Sequence, residues 1–416
     1  MNEAAESIAF PEIKVPAALT FAGLVAGFAA GIVLRDSALL PQLLAVAKPA
    51  GALWLKALQL TILPLVIGLV YTGISQTLAA AGGGALARRA VTLFFVVLLA
   101  SGAISALLVP ALLETFPIPA KAVAALSGGG AEAAKVPGFA EILNAMMPEN
   151  IFAAAAGGAM LPMVLFVSVF AVAAARIGPA PRKALAQVFE GLAAAMMVVV
   201  GWVLMLAPIG VFGLAIGLAA DSGSDAISAL AHYIVVVSCA GLVVLLGSFA
   251  LAMTLGGQRL GPFARAMLPV HAVAFSTQSS LASLPAMLAA TRRLGVREAT
   301  ADFVLPLAVA IFRATSPAMN MGVAIYAAYL TGTPLSVWAL GAGVLVAFLV
   351  SLSSVSLPGT LSFVISVGPI ANAMGVPIAP LALLVAVEML PDLMRTLGNV
   401  TMDVAVTAAV DKRRGE

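Results

Sequence analysis

Glu388, Asp392, Arg395, Asn399 and Asp403 stand four, three, four and four residues apart in an otherwise apolar C-terminal segment. At about 100° per residue they share an arc of roughly 80° on a helix. The segment around them, 377–410, is hydrophobic enough to lie in a bilayer. Facing lipid, each of its ionisable groups would cost roughly 2.5–3.5 kcal/mol. They must therefore face protein, water or a ligand. A guanidinium grips a carboxylate, a carboxylate holds an ammonium, and amide and carboxylate oxygens suit a hard cation. The stripe reads as a binding site inside a membrane.

The rest of the chain agrees with that setting. Of its 416 residues 62% are hydrophobic and only 9% charged, against about 25% charged in soluble domains. Residues 314 to 387 carry no formal charge. Basic residues gather at segment ends and form no stripe, so the net charge of +3 does not suggest nucleic-acid binding. Cys239 is the single cysteine, which excludes an intramolecular disulfide and leaves it a packing role. His232 and His271 show no metal spacing and read as structural or solvated. Glu3, Glu6 and Glu12 precede the first apolar run, unlike a secretory signal.

Apolar spans recur near 17–34, 50–72, 90–113, 151–175, 187–220 and 226–256. The pattern then changes. Two apolar stretches, at 262–291 and around 351–360, are interrupted by Ser279-Ser280-Leu281-Ala282-Ser283-Leu284-Pro285 and Ser353-Ser354-Val355-Ser356-Leu357-Pro358. Each is followed by a span carrying an arginine, Arg313 and Arg395. This is an internal repeat of hairpin plus helix. Such paired interruptions mark a transporter site, because non-helical backbone at membrane depth survives only where it lines a cavity.

Positive charge sets the expected orientation. Arg88-Arg89, Arg176/Arg182/Lys183, Arg259/Arg265, Arg292/Arg293/Arg297 and Lys412-Arg413-Arg414 fall on alternate connections. Both termini are then expected in the cytoplasm of a bacterial-type plasma (inner) membrane protein. The first interruption enters from the cytoplasmic side and the second from outside, making a pair of gates.

At this point the chain resembles the glutamate transporter family, the dicarboxylate/amino acid:cation symporters. Lys48-Pro49 through Lys56 to Leu63-Pro64-Leu65 looks like that family's second helix, and Ala207-Pro208-Ile209-Gly210-Val211-Phe212 like its fifth. Thr277-Gln278-Ser279-Ser280 with Leu284-Pro285 is similar to the first hairpin tip, and Pro358-Gly359 to the second. The spacing Asp392, Arg395, Asn399, Asp403 matches the eighth helix throughout. The resemblance implies an all-α polytopic membrane protein: eight transmembrane helices plus two re-entrant helical hairpins, inverted repeats and elevator-type transport. It also implies a homotrimer. Scaffold helices 1–2 would occupy 15–85 and scaffold helices 4–5, with an extracellular loop, 114–222. The transport domain would combine helix 3 (86–113) with 223–412.

The resemblance also assigns roles. Arg395 would hold the side-chain carboxylate of an acidic amino acid and Asp392 its α-ammonium. Ser279, Ser280 and the Pro358-Gly359 tip would take the α-carboxylate, and Asn399 and Asp403 one sodium ion. An internal ion-pair network between Asp392 and Arg395 is the bland alternative. Glu388 is either pH-sensing or part of a solvated cavity wall. Pro391 is expected to kink the helix before Asp392.

The chain departs from the family at its broken seventh helix. Aligned from Val304-Leu305-Pro306-Leu307, it has Phe312-Arg313-Ala314-Thr315-Ser316 in place of an Asn-Met-Asp-Gly-Thr motif. A register on Asn320-Met321-Gly322 loses the Leu-Pro-Leu anchor. With Ala100 in the third helix, three cation-ligand losses converge, so a deep third sodium site is expected to be absent. Arg313 would replace a bound cation there, contact the anionic substrate, or snorkel to a boundary.

These observations point to a secondary active symporter of acidic amino acids with reduced or altered cation coupling, by sodium or, alternatively, protons. Rival readings are a dicarboxylate or other organic-anion transporter, an exchanger, and an anion channel lined by Arg313 and Arg395. An enzyme is the weakest: no His cluster, nucleophile elbow or phosphate loop is visible.

Overall fold

The computed structural model describes residues 16–82, 84–119, 147–157, 159–222, 225–352 and 359–415. Among these there is helix and no strand, as lipid requires of a chain that does not close a barrel. In order they are α1 (Ala17–Val33), α2 (Leu39–Ala81), α3 (Ala85–Thr115), α4 (Ile151–Ala156), α5 (Met160–Ala174), α6 (Pro179–Met205), α7 (Ala207–Ser222) and α8 (Asp225–Thr254). Then come α9 (Leu260–Thr277), α10 (Leu284–Arg293), α11 (Glu298–Ile311), α12 (Thr315–Thr331), α13 (Val337–Leu352), α14 (Gly359–Ala373), α15 (Leu381–Leu384) and α16 (Met389–Gly415). Among the described residues, five helical spans are long and apolar enough to cross a membrane: α2, α3, α6, Ser228–Thr254 and Glu298–Thr331.

The helices pack in two groups. In the first, α2 lies against α5, α6 and α7, and α1 lies along α7. Trp54 anchors α2 to α6 by donating its indole N–H to Val203 O at 2.9 Å. A small-residue stripe sets the α1–α7 approach. A Cβ on Gly27 would meet Phe212 O at 2.8 Å, and one on Gly31 would meet Ile216 O at 2.8 Å. Backbones come this close because lipid supplies no hydrophobic force between helices, and close van der Waals contact must replace it. In the second group α3, α8, α14 and α16 surround the broken helix, α12 packing on each of them. An apolar cavity of about 310 Å³ lies between the groups, lined by Ile74, Thr77 and Val169 on one side and Phe95 and Phe348 on the other. No residue of the charged stripe lines it, and its walls are almost wholly apolar.

Two features expected from sequence take definite form. Helix α9 ends at Thr277, where Gln278 adopts φ 50°, the one non-glycine residue with positive φ among those described. The turn then leads into α10, ten residues long with Pro285 in its first turn. Ten residues rise about 15 Å, half of the ~30 Å hydrocarbon thickness, so α10 alone is too short to cross. The other break falls between Ile311 and Thr315, where Phe312 is extended (φ −120°, ψ 110°). Asn320 lies well inside α12, which favours the register placed on Phe312–Ser316.

The segment 377–410 holds two helices. A one-turn helix, α15, precedes Glu388, and α16 begins only at Met389. Pro391 does not kink α16. It occupies the first turn, where a missing N–H costs no hydrogen bond, and Asp392 N–H still donates to Glu388 O at 3.0 Å. Pro358 lies outside the described residues. Gly359 opens α14.

Candidate binding site in the membrane core

The stripe is buried: Glu388 is 0% exposed, Asp392 5%, Arg395 2%, Asn399 3% and Asp403 1%. Four ionisable groups at this depth require partners, and Arg395 is the hub. Its Nη2 donates to Glu388 Oε1 in an ion pair. Nη1 donates to Asn320 Oδ1 at 2.7 Å. Nε lies 3.2 Å from Asp392 Oδ1, but it is not aligned for a hydrogen bond, so that contact is electrostatic. Glu388 Oε2 accepts from Tyr233 Oη at 2.8 Å. The bland alternative, an Asp392–Arg395 pair, is thus present, inside a larger cluster that pairs acid, base, amide and phenol.

Glu388 is therefore no solvated cavity wall. It sits before the helix, which lets its carboxylate fold back onto Arg395 from seven residues upstream. Tyr233 and Asn320 were not legible as site residues. A lone tyrosine in an apolar run reads as packing, and Asn320 belongs to the register that loses the Leu-Pro-Leu anchor.

The helix break enters at the next turn. Thr315 donates its N–H (3.0 Å) and its hydroxyl (2.8 Å) to Asn399 Oδ1, and the hydroxyl also lies 3.1 Å from Arg395 O. Gly398 makes this approach possible, because a methyl there would overlap Thr315 Cγ2. Two donors fill both lone pairs of the Asn399 oxygen. In this arrangement Asn399 holds the break in place rather than offering its oxygen to an ion. Asp403 differs: neither of its oxygens has a hydrogen-bond partner among the described residues. Two buried bare carboxylate oxygens suit a hard cation. No cluster of three or more His, Cys, Asp or Glu suited to a metal occurs among the described residues, so other oxygens would have to complete such a site.

Arg313 is 8% exposed, which removes the snorkelling option. It interacts electrostatically with Asp392 and Asp403. Beside it Phe312 stacks on Phe94 with ring centroids 4.3 Å apart. Phe312 and Ala314 join Leu98 and Ala318 in an apolar cluster that offers no side-chain oxygen. Ala100 does not converge on this place as expected. It is exposed, and the neighbouring Ser101, 3% exposed, faces inward instead. A one-residue step turns a helical side chain by about 100°, enough to exchange the two.

Ser279 and Ser280 are half-buried, and the bonds at the first hairpin tip are local. Ser279 Oγ accepts from Ala282 N–H at 3.2 Å, and Ser279 O accepts from Ser283 Oγ at 2.9 Å. The hairpin packs against α16 through Phe263, Met267, Val400 and Val404. The histidines take structural positions: His232 bridges Tyr326 Oη and Phe116 O, and His271 meets Thr401 Oγ1 at 2.8 Å.

The described chain is helical, with spans apolar enough to cross a membrane, a broken helix and a buried Asp–Arg stripe. The family model described as the sodium:dicarboxylate symporter family matches residues 17–413. The chain belongs to that family. It is 28% identical over 276 residues to the proton/sodium-glutamate symport protein of Bacillus subtilis, covering 66% of this chain and 64% of that protein. It is 26% identical over 294 residues to C4-dicarboxylate transport protein 1 of Pseudomonas aeruginosa (70% and 64%), and 27% over 275 residues to the proton/glutamate-aspartate symporter of Escherichia coli (66% and 62%). The aligned region thus spans a little under two thirds of these relatives' own length.

Proposed function

We propose that the chain is a secondary active symporter of acidic amino acids, with Asp392 and Arg395 as the discriminating pair. The carrying observation is that a buried carboxylate and a buried guanidinium lie 3.2 Å apart on one helix face. An amino acid such as aspartate presents an ammonium beside two carboxylates and complements both. A C4-dicarboxylate complements Arg395 but leaves Asp392 facing a second negative charge. The names of the relatives divide between glutamate and C4-dicarboxylate, and Asp392 tips the reading to the amino acid.

Arg313 supports reduced cation coupling. A fixed guanidinium near Asp403 does the local electrostatic work of a bound cation without leaving. Asp403 remains the sodium ligand in this reading, with Asn399 brought to the ion only when Thr315 lets go. Ser279, Ser280, Pro358 and Gly359 serve the substrate's α-carboxylate as the hairpins close. The two packing groups correspond to a scaffold and a moving domain, working by elevator-type alternating access in a homotrimer, with eight spans and two re-entrant hairpins and both termini in the cytoplasm. Uptake of labelled L-aspartate into proteoliposomes, with succinate as competitor and sodium replaced by choline, tests the reading. Saturable, concentrative uptake that succinate does not suppress supports it. Suppression by succinate at equal concentration moves the assignment to dicarboxylates.

A further inference from the structure

Arg395 has one positive charge, and two carboxylates already share it. Glu388 and Asp392 both lie in ion-pair contact with the guanidinium, and Asn320 occupies its remaining nitrogen. A substrate carboxylate arriving at Arg395 would be the third acid on one base. Glu388 is the one to yield, because Asp392 is held for the ammonium and Glu388 has a second partner in Tyr233.

The environment decides what happens to Glu388 once displaced. It is 0% exposed, so no water replaces the lost guanidinium. The groups facing it are few. Arg395 and Asp392 come from α16, Tyr233 from α8, and Asn320, through Arg395, from α12; Tyr326 stacks edge-on against Tyr233 with centroids 5.3 Å apart. Arg313, at the break, acts on Asp392 and Asp403. Among the described residues no further cation faces Glu388. An ionised carboxylate left there with one phenol donor would be a buried unpaired charge, which folded proteins avoid by neutralising it. A proton does so at once. Counting charges gives the same answer. Three carboxylates (Glu388, Asp392, Asp403) face two guanidiniums (Arg313, Arg395), and an acidic amino acid adds one more negative charge. Protonating Glu388 cancels that addition.

We propose that Glu388 is the proton carrier of this transporter: it holds Arg395 in the empty site, takes up a proton as a substrate carboxylate displaces it, and releases that proton on the other side when Arg395 recaptures it. The proposal rests on the symport reading and deepens it by assigning the coupling group. Reciprocity follows, since substrate and proton must each raise the other's affinity by the same factor. No bond other than the O–H of the carboxylic acid forms or breaks, and the proton comes from water on one face and returns to water on the other.

The test measures protons absorbed per substrate bound by the full-length purified protein in weakly buffered solution with a pH indicator. The probes are L-aspartate, L-glutamate and succinate. About one proton per substrate is expected for the wild type, about none for Glu388→Gln, and uptake restored in Glu388→Asp. Tyr233→Phe, which keeps the carboxylate and removes a hydrogen bond to it, should move the pH midpoint of substrate affinity by about one unit. Glu388→Gln absorbing as many protons as wild type, a wild type absorbing none, or an unmoved midpoint in Tyr233→Phe would each overturn the proposal. Succinate binding with Glu388-dependent proton uptake, while aspartate and glutamate fail, would sustain the proton carrier and overturn the amino acid reading. Failure of all three probes to bind the wild type overturns both.

Discussion

Thr315 gives both its N–H and its hydroxyl to Asn399 Oδ1, across 84 residues of sequence, and so pins the break of one helix to the charged face of another. The contact is fully buried, so removing the acceptor strands the Thr315 N–H, while the hydroxyl keeps Arg395 O. Asn399→Ala is expected to destabilise the protein by about 1–3 kcal/mol. Thr315→Val should cost less, and the double variant less than the sum of both. Thermal unfolding of the detergent-solubilised protein measures all three, and strict additivity would mean the two residues do not act as a unit.

Gly398→Ala separates two opposing effects. In an unencumbered helix the change favours folding by about 0.8–1 kcal/mol. Here the methyl would overlap Thr315, and overpacking of this kind costs about 1–3 kcal/mol. A lowered unfolding temperature with lost uptake is expected. A raised one would show that the helices part easily at this point.

Asp392→Asn should act on substrate choice more than on folding. Losing the ammonium partner is expected to weaken acidic amino acid binding by about 2–3 kcal/mol, roughly 30- to 150-fold. Succinate, which has no ammonium, should bind the variant at least as well as the wild type. Competition binding with aspartate and succinate gives the ratio directly, and an equal loss for both would remove Asp392 from ammonium recognition.

Arg313→Met leaves Asp392 and Asp403 without the guanidinium that acts on both. The variant is expected to need external sodium more strongly than the wild type, because an ion must supply the missing charge. Uptake measured over a sodium-to-choline series shows this as a steeper dependence. An unchanged curve with unchanged substrate affinity would mean that Arg313 replaces no cation and touches no substrate.

Asp411, at the end of α16 beside Lys412, Arg413 and Arg414, gives a pH prediction outside the apolar span. Partial burial pushes its carboxyl up, but hydrogen bonds from Thr300 (2.7 Å) and Arg297 (2.8 Å) outweigh that and hold it below the usual carboxylate range. A lowered native value stabilises the fold above the unfolded value. That stability is lost as pH falls through the native one. The unfolding temperatures of wild type and Asp411→Asn should therefore differ at neutral pH and converge in acid below about pH 4. A gap that persists in acid would assign the effect to packing.

The sequence by itself determined the class of protein and which residues form the buried stripe. Charge scarcity and long apolar runs fix a membrane setting, because backbone and charge have no other refuge in lipid. The helical period alone places Asp392, Arg395, Asn399 and Asp403 on one face, and the Ser-Pro interruption locates the first hairpin tip, while the break at Phe312 follows from the family resemblance aligned on the Leu-Pro-Leu anchor. These are local signals, carried by residues within a few turns of one another. Tertiary structure alone decided who pairs with whom. Tyr233, 155 residues from Glu388, and Asn320, 75 from Arg395, completed the cluster. Arg313 was drawn inside, and Ser101 rather than Ala100 turned inward. Each of these depends on how separate helices meet. A buried charge takes whichever donor the packing brings within about 3 Å, and no spacing along the chain encodes that distance.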